Sequence, residues 1–286
     1  MEVLAREEYL PRIAAHEARA AVWADPRVAR RARGGYHPVW DFLFDYYPLR
    51  PGHLKRWHPG VGVALTDAAD LPQAGWRDYA IAPDGTVALD LERFLAHRES
   101  EVEAVAELLR AVATHDAHFD CFGMHEWAMV YRTDHPRHGL PLRLGADGTD
   151  EVVRSHQLKC SHFDAYRFFT PAAVPLNLTV LSREAQADND QPGCVHVSMD
   201  LYKWAFKLGP LVPGELLMDC FELAADARRL DMEASPYDCR GLGLGVVAVE
   251  TPEGKAEYVA RQRGLAARAE PLRARLVAQV EAALGR

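Results

Sequence analysis

The chain has 286 residues, 49% of them hydrophobic and 26% charged, and a formal net charge of −8. That length supports a core without staples, and the acidic balance argues against a nucleic-acid partner, whose phosphates call for a basic excess. Five cysteines with no CxxC pair argue against a disulfide framework and against a zinc ribbon.

The N-terminal MEVLAREEYLPR is charged and lacks an apolar signal core, and no apolar run reaches the roughly 18 residues of a membrane span. The expectation is a reduced, cytoplasmic chain with no membrane partner; composition leaves a homodimer open. Residues 2–33 read as a charged helix whose basic end, RVARRARGG, is solvated and closed by Gly34 and Gly35. Residues 36–60 are dense in aromatics, prolines and histidines. Packing into a core is the first reading, and a wall for a flat apolar ligand the second.

Alternation around Asp84-Gly85 predicts a hairpin over 78–91, and a similar pattern around Glu253-Gly254 predicts another over 246–259. Helical periodicity covers 93–132, 154–169, 197–208, 214–231 and about 256–285. The longest loops are 133–150 and 183–194, lengths that often line a site. SPYD at 235–238 reads as a helix-end turn. The fold class expected is mostly α, a helical single domain over residues 1–286 with two small β-hairpins.

On one helix through 112–132, His115, His118 and Phe122 fall within about 60° of each other, with His125, Glu126 and Met129 on the same side. His125 would lie roughly 10 Å beyond His118 along the axis, too far for one metal ion to take all three histidines. Satisfied packing histidines are the plain alternative. HEW at 125–127 is not HExxH, and no Glu-x-x-His repeat marks a di-iron bundle. His162-Phe163-Asp164 offers ligands that could contribute to a small metal site, and nothing in the sequence fixes their partners.

On a helix over 154–169, His156, Cys160, Phe163 and Arg167 form one stripe. A histidine and a cysteine one turn apart suit a flat macrocycle beside the helix. The imidazole would sit on iron, the sulfur at a vinyl edge and Arg167 near a propionate. A buried core cysteine is the plain alternative. His156-Gln-Leu-Lys-Cys160, preceded by His115 and His118, resembles the histidine-ligated haem-dependent aromatic oxygenases, relatives of tryptophan dioxygenase. That resemblance implies a tryptophan dioxygenase-like helical fold and a haem with His156 as axial metal ligand, attached by a thioether to Cys160. It further implies His118, or failing that His115, as the distal acid–base, and hydrogen peroxide or oxygen as oxidant. The resemblance matches no substrate-binding residues. From the residues themselves, Trp40, Phe42, Tyr46, Tyr47 and Trp57 are the candidates to hold a tyrosine-like aromatic substrate. Arg132 is the candidate for its carboxylate, with an exposed helix-end arginine the plainer reading.

The stretches DFLFDYYPLRPGHLKRWHPG, HFDCFGMHEWAMVYR, HQLKCSHFDAYRFFTP and DLYKWAFKL also resemble an actinobacterial group labelled 3-methyladenine DNA glycosylase. That would put a flipped alkylated base in an aromatic pocket beside a carboxylate such as Glu126. No helix-hairpin-helix glycine turn with a following aspartate accompanies it, so this ranks second. A non-haem metal-dependent oxygenase is the further alternative.

Overall fold

A computed structural model describes residues 1–47 and 49–285. Near the N-terminus, β1 (Glu2–Leu4) leads into α1 (Arg6–Ala32), which buries Tyr9, His16, Ala20, Ala24 and Arg27. Their steps of seven, four, four and three make one helical stripe. The helix ends as the glycines predict: Gly34 takes φ +69, and Gly35 N–H donates to Arg30 O at 2.9 Å. Its basic end is not uniformly solvated. Arg27 is buried and pairs with Asp41 and Asp45, and Arg30 Nε also donates to Asp41, whose side chain is fully buried.

The elements that follow are α2 (Phe42–Asp45), α3 (Pro51–Leu54), β2 (Val63–Leu65), β3 (Tyr79–Ile81), β4 (Val87–Leu89) and α4 (Leu91–Thr114). Then come α5 (Met124–Ala128), α6 (Gly145–Arg154), α7 (Phe163–Tyr166) and α8 (Gln186–Asn189). The last three are long: α9 (Val195–Leu208), α10 (Gly214–Ala234) and α11 (Pro252–Leu284). The fold is mostly helical with one small mixed sheet, and no helix among the described residues is long and apolar enough to cross a membrane.

The chain divides into two compact units. The first holds residues 1–109, 201–222 and 271–286; the second holds 110–200 and 223–270. In the first, the strands run in the order β1-β2-β4-β3, with β1 parallel to β2 and the other pairs antiparallel. The hairpin at Asp84-Gly85 is present: Gly85 adopts φ +83 and Asp84 Oδ1 accepts Thr86 N–H at 3.0 Å. Leu4, Tyr9, Trp57, Leu65, Tyr79 and Val87 build the core against this sheet. The aromatic segment packs as core. Trp57 is 1% exposed and donates to Glu215, Tyr47 is 2% exposed and meets Tyr202 edge-on, and half-buried Trp40 meets Trp23. Trp40, Tyr47 and Trp57 thus pack in the first unit, the first of the two readings of this segment.

His58 shows how this core responds to acid. Its Nδ1 accepts the Tyr79 hydroxyl at 2.8 Å, and burial pushes the imidazole down to about 3. A histidine held neutral when folded takes up a proton when unfolded, so its contribution is complete above about pH 6.5 and is lost as pH falls towards the folded value. From this ring alone the chain is expected to be about 2 kcal/mol less stable at pH 5 than at pH 7. Urea unfolding at the two pH values checks it: His58→Gln should show a smaller difference than wild type, and an equal difference would contradict the assignment.

The second unit departs most from the periodicity. The helix expected over 93–132 stops at Thr114, and residues 115–123 are irregular. Phe122 and Gly123 take φ +51 and +70 before α5 begins. A Cβ at Gly123 would meet the Tyr258 ring at 3.2 Å, so glycine serves both the turn and the close approach. His115, His118 and His125 therefore share no helical face.

The helix expected over 154–169 is also absent. Ser155 Oγ and His156 Nδ1 both turn back onto Val152 O, at 3.0 and 2.6 Å, and α6 ends there. The chain then runs extended to His162, with Leu158 bridged to Asn177. Asn177 clamps Cys160 by accepting its N–H at 2.8 Å and donating to its carbonyl at 3.0 Å. His156, Cys160 and Arg167 do not form a helical stripe.

The second expected hairpin is a helix start. Thr251 Oγ1 caps Gly254 N–H at 3.1 Å, Pro252 occupies the first helical position, and a Cβ at Gly254 would meet Ala248 O at 2.0 Å. The loop 133–150 gives way to α6 at Gly145, and 183–194 contains α8. Ser235 accepts Tyr237 N–H at 3.3 Å, so SPYD is the expected helix-end turn.

Candidate metal centre

The second unit buries a chain of imidazoles and carboxylates. α5 supplies His125 and Glu126; α9 supplies His196 and, one turn on, Asp200; α10 supplies Arg228 and, three residues on, Asp231. The four- and three-residue spacings put the α9 pair and the α10 pair each on one helical side. His162 immediately precedes α7 and Asp164 lies within it, while Asp190 follows α8. All nine side chains are buried.

Two donor sets emerge among the described residues. His125, His196 and Asp231 each offer one ligand atom, and these lie within 4.8 Å of one another; His162, Asp164 and Asp200 do the same. The sets adjoin through their rings: His125 meets His196 edge-on with centroids 4.4 Å apart, and His196 stacks on His162 at 5.4 Å with planes 5° apart.

In the first set, His125 Nε2 lies 2.7 Å from Asp231 Oδ1, and Asp231 Oδ2 accepts Arg228 at 2.6 Å. Arg228 also donates to Glu126 at 3.1 Å. Burial works against a charged His125, yet the Asp231 carboxylate and its hydrogen bond outweigh it and raise the imidazole well above its usual range. His196 moves the other way, lowered by burial and then by the His125 charge, so it stays neutral with a lone pair to donate. Burial resists ionisation of Asp231, but the His125 charge and hydrogen bond hold it far below the usual carboxylate range. Burial and the Asp231 charge raise Glu126 despite Arg228.

A cavity of about 430 Å³ opens beside this cluster, lined in part by His118, Cys121, Lys159, Cys160, Leu181 and Gln191. Cys121 Sγ lies 3.8 Å from His125 Nδ1, so one side chain separates the cavity from the first donor set. Lys159 at the wall is paired with Asp120 at 2.6 Å.

Of the residues singled out from sequence, His118 and Cys160 line this cavity. His118 is anchored through its backbone, whose N–H donates to Gln191 Oε1 at 2.9 Å and whose carbonyl accepts Gln191 Nε2 at 3.2 Å. His115 is tied by Nδ1 to Asp190 O at 2.7 Å. Burial raises the Cys160 thiol well above its usual range, and its Sγ points to His162 O at 3.5 Å. Arg167 lies 3.3 Å from Asp164 and over the Phe168 ring. Arg132 is not at a helix end; it has φ +51, its N–H donates to Asp150, and its guanidinium lies over Tyr131. Glu126 is buried against Arg228 rather than presented to a flipped base.

His196, Asp200, Asp231 and Asp190 escaped the sequence reading. His196 lay one residue ahead of the helix expected over 197–208, so its i, i+4 relation to Asp200 was not drawn, and Asp231 reaches His125 across 106 residues. No family model matches the chain, and no curated protein or solved structure matches it either.

Proposed function

We propose that this chain is a non-haem metal-dependent oxygenase acting on a small organic substrate. The observation that carries the reading is the buried His125, His196 and Asp231 set beside a cavity. Two imidazoles and one carboxylate are the donor set suited to iron(II) with open positions for oxygen and substrate, and an ion held there would displace the proton that His125 Nε2 shares with Asp231. The chain's own part is to hold that set dry, orient Asp231 through Arg228, and receive substrate among His118, Lys159 and Leu181. His118, on the cavity wall, is the proton carrier in this reading. In a hydroxylation, one atom of O₂ enters a C–H bond and the other leaves as water, with two electrons from a reductant and two protons.

The test is oxygen uptake by the iron(II)-loaded chain, with ascorbate as reductant and a panel of phenols and aromatic amino acids. Substrate-dependent uptake that disappears in His196→Asn is the expected result. Uptake identical in wild type and His196→Asn would overturn the assignment.

Haem bound through His156 is the second reading, favoured by one observation. His156 Nδ1 is tied to Val152 O, while its Nε2 is buried without a hydrogen-bond partner among the described residues. That arrangement fixes a tautomer able to ligate a metal. The extended path of residues 157–162 removes the helical repeat that would have placed Cys160 one turn away. A Soret band on expression with haem precursor, lost in His156→Ala, would favour this reading over the first.

A further inference from the structure

We infer that the chain binds a second divalent cation, at His162, Asp164 and Asp200, separate from the His125, His196 and Asp231 set. The inference does not depend on the oxygenase reading, because the two sets share no ligand.

Three observations carry it. The first is the donor set itself: one imidazole and two carboxylates whose ligand atoms lie within 4.8 Å of one another, on residues that are 1%, 5% and 1% exposed. The second is the orientation of His162. Its Nδ1 lies 3.0 Å from Asp190 Oδ1, and the other Asp190 oxygen accepts Gln186 Nε2 at 2.8 Å. Asp190 is itself 2% exposed, so Gln186 and His162 hold it in one geometry. A carboxylate on Nδ1 fixes the proton there and turns the Nε2 lone pair outward, the outer-shell arrangement of metal-bound histidines.

The third observation is the spacing beyond that nitrogen. His162 Nε2 and Asp200 Oδ2 are 3.7 Å apart. That is too long for a hydrogen bond, and it suits two ligands each about 2.1 Å from one shared ion. Asp164 completes the set from α7. Its Oδ1 is steadied by Arg183 at 2.6 Å and by Arg167 at 3.3 Å, both from partly exposed positions. Arg167, singled out from sequence for a propionate, thus serves to orient a carboxylate.

The donor chemistry narrows the ion. Two carboxylates with one imidazole suit manganese(II), iron(II), cobalt(II) or zinc(II), and the absence of thiolate from the set disfavours copper(I). Stacking of His162 on His196 fixes both rings against rotation, so each set is preorganised by the other without a shared ligand.

The experiment is equilibrium dialysis of the metal-stripped full chain against cobalt(II) alone, with bound metal counted by mass spectrometry and folding checked by circular dichroism. Wild type is expected to bind two equivalents, with Asp200→Asn and Asp164→Asn binding one each and His196→Asn also binding one. Asp190→Asn should keep two equivalents while weakening the second about tenfold or more, as loss of an outer-shell carboxylate does. Two equivalents retained in folded Asp164→Asn and Asp200→Asn would overturn the second site, as would one equivalent in wild type that only His196→Asn removes. One equivalent removed only by Asp164→Asn and Asp200→Asn would instead support this site and overturn the first. No cobalt bound to folded wild type would overturn both.

Discussion

Arg228→Met is expected to destabilise the chain by about 3–5 kcal/mol, the usual cost of removing one partner from a buried ion cluster. Arg228 is 1% exposed and stands between two carboxylates, 2.6 Å from Asp231 and 3.1 Å from Glu126. Its removal leaves those carboxylates buried with His125 as the remaining cation in contact with Asp231. Glu126 is already raised, first by burial and then by Asp231, and would take up a proton. The double variant Glu126→Gln, Arg228→Met should recover part of the loss, because one of the stranded charges is gone. Urea unfolding of the four proteins in the cycle measures it. A loss under about 1 kcal/mol for Arg228→Met would mean that the cluster is not held by this guanidinium.

His196→Asn is expected to weaken metal binding at the first set by more than about 100-fold, beyond what outer-shell changes cause. Its effect on folding should be smaller than that of Arg228→Met, because a neutral ring is removed and no buried charge is stranded. This separation matters: Arg228→Met reports on the charge balance of the cluster, and His196→Asn on ligation. Iron(II) affinity from competition with a chromogenic chelator checks the second. Unchanged affinity would remove His196 from the ligand set.

These two variants also mark how far the sequence was legible. Helical content followed from apolar periodicity in α1, α9, α10 and α11, and the Asp84-Gly85 hairpin from turn chemistry. Errors arose where a local signal outweighed periodicity. Thr251-Pro252 carried a complete helix-start signature, yet the alternation in VVAVE was read as a strand. At HQLKCSH the helical spacing was present, but Ser155 and His156 turn back onto Val152 and end the helix before the stripe can form.

The site itself was legible in fragments. His125 and Glu126 were singled out from a face that does not exist, since Phe122 and Gly123 break the helix ahead of them. His162 and Asp164 stood out only as residues able to contribute to a metal site, without partners. The partners, His196, Asp200 and Asp231, come from α9 and α10, and contacts over such separations leave no local pattern in a single sequence. Trp40, Tyr47 and Trp57 were weighed as core first, and in the first unit that is what they are.

Everything proposed for the first donor set requires His125, His196 and Asp231 to hold a metal ion. The most direct test is anomalous diffraction at the manganese edge from crystals of the full chain soaked in manganese(II). A peak is expected within bonding distance of His125 Nε2, a ring nitrogen of His196 and an Asp231 oxygen. An ordered cluster with no peak there at saturating manganese would contradict it.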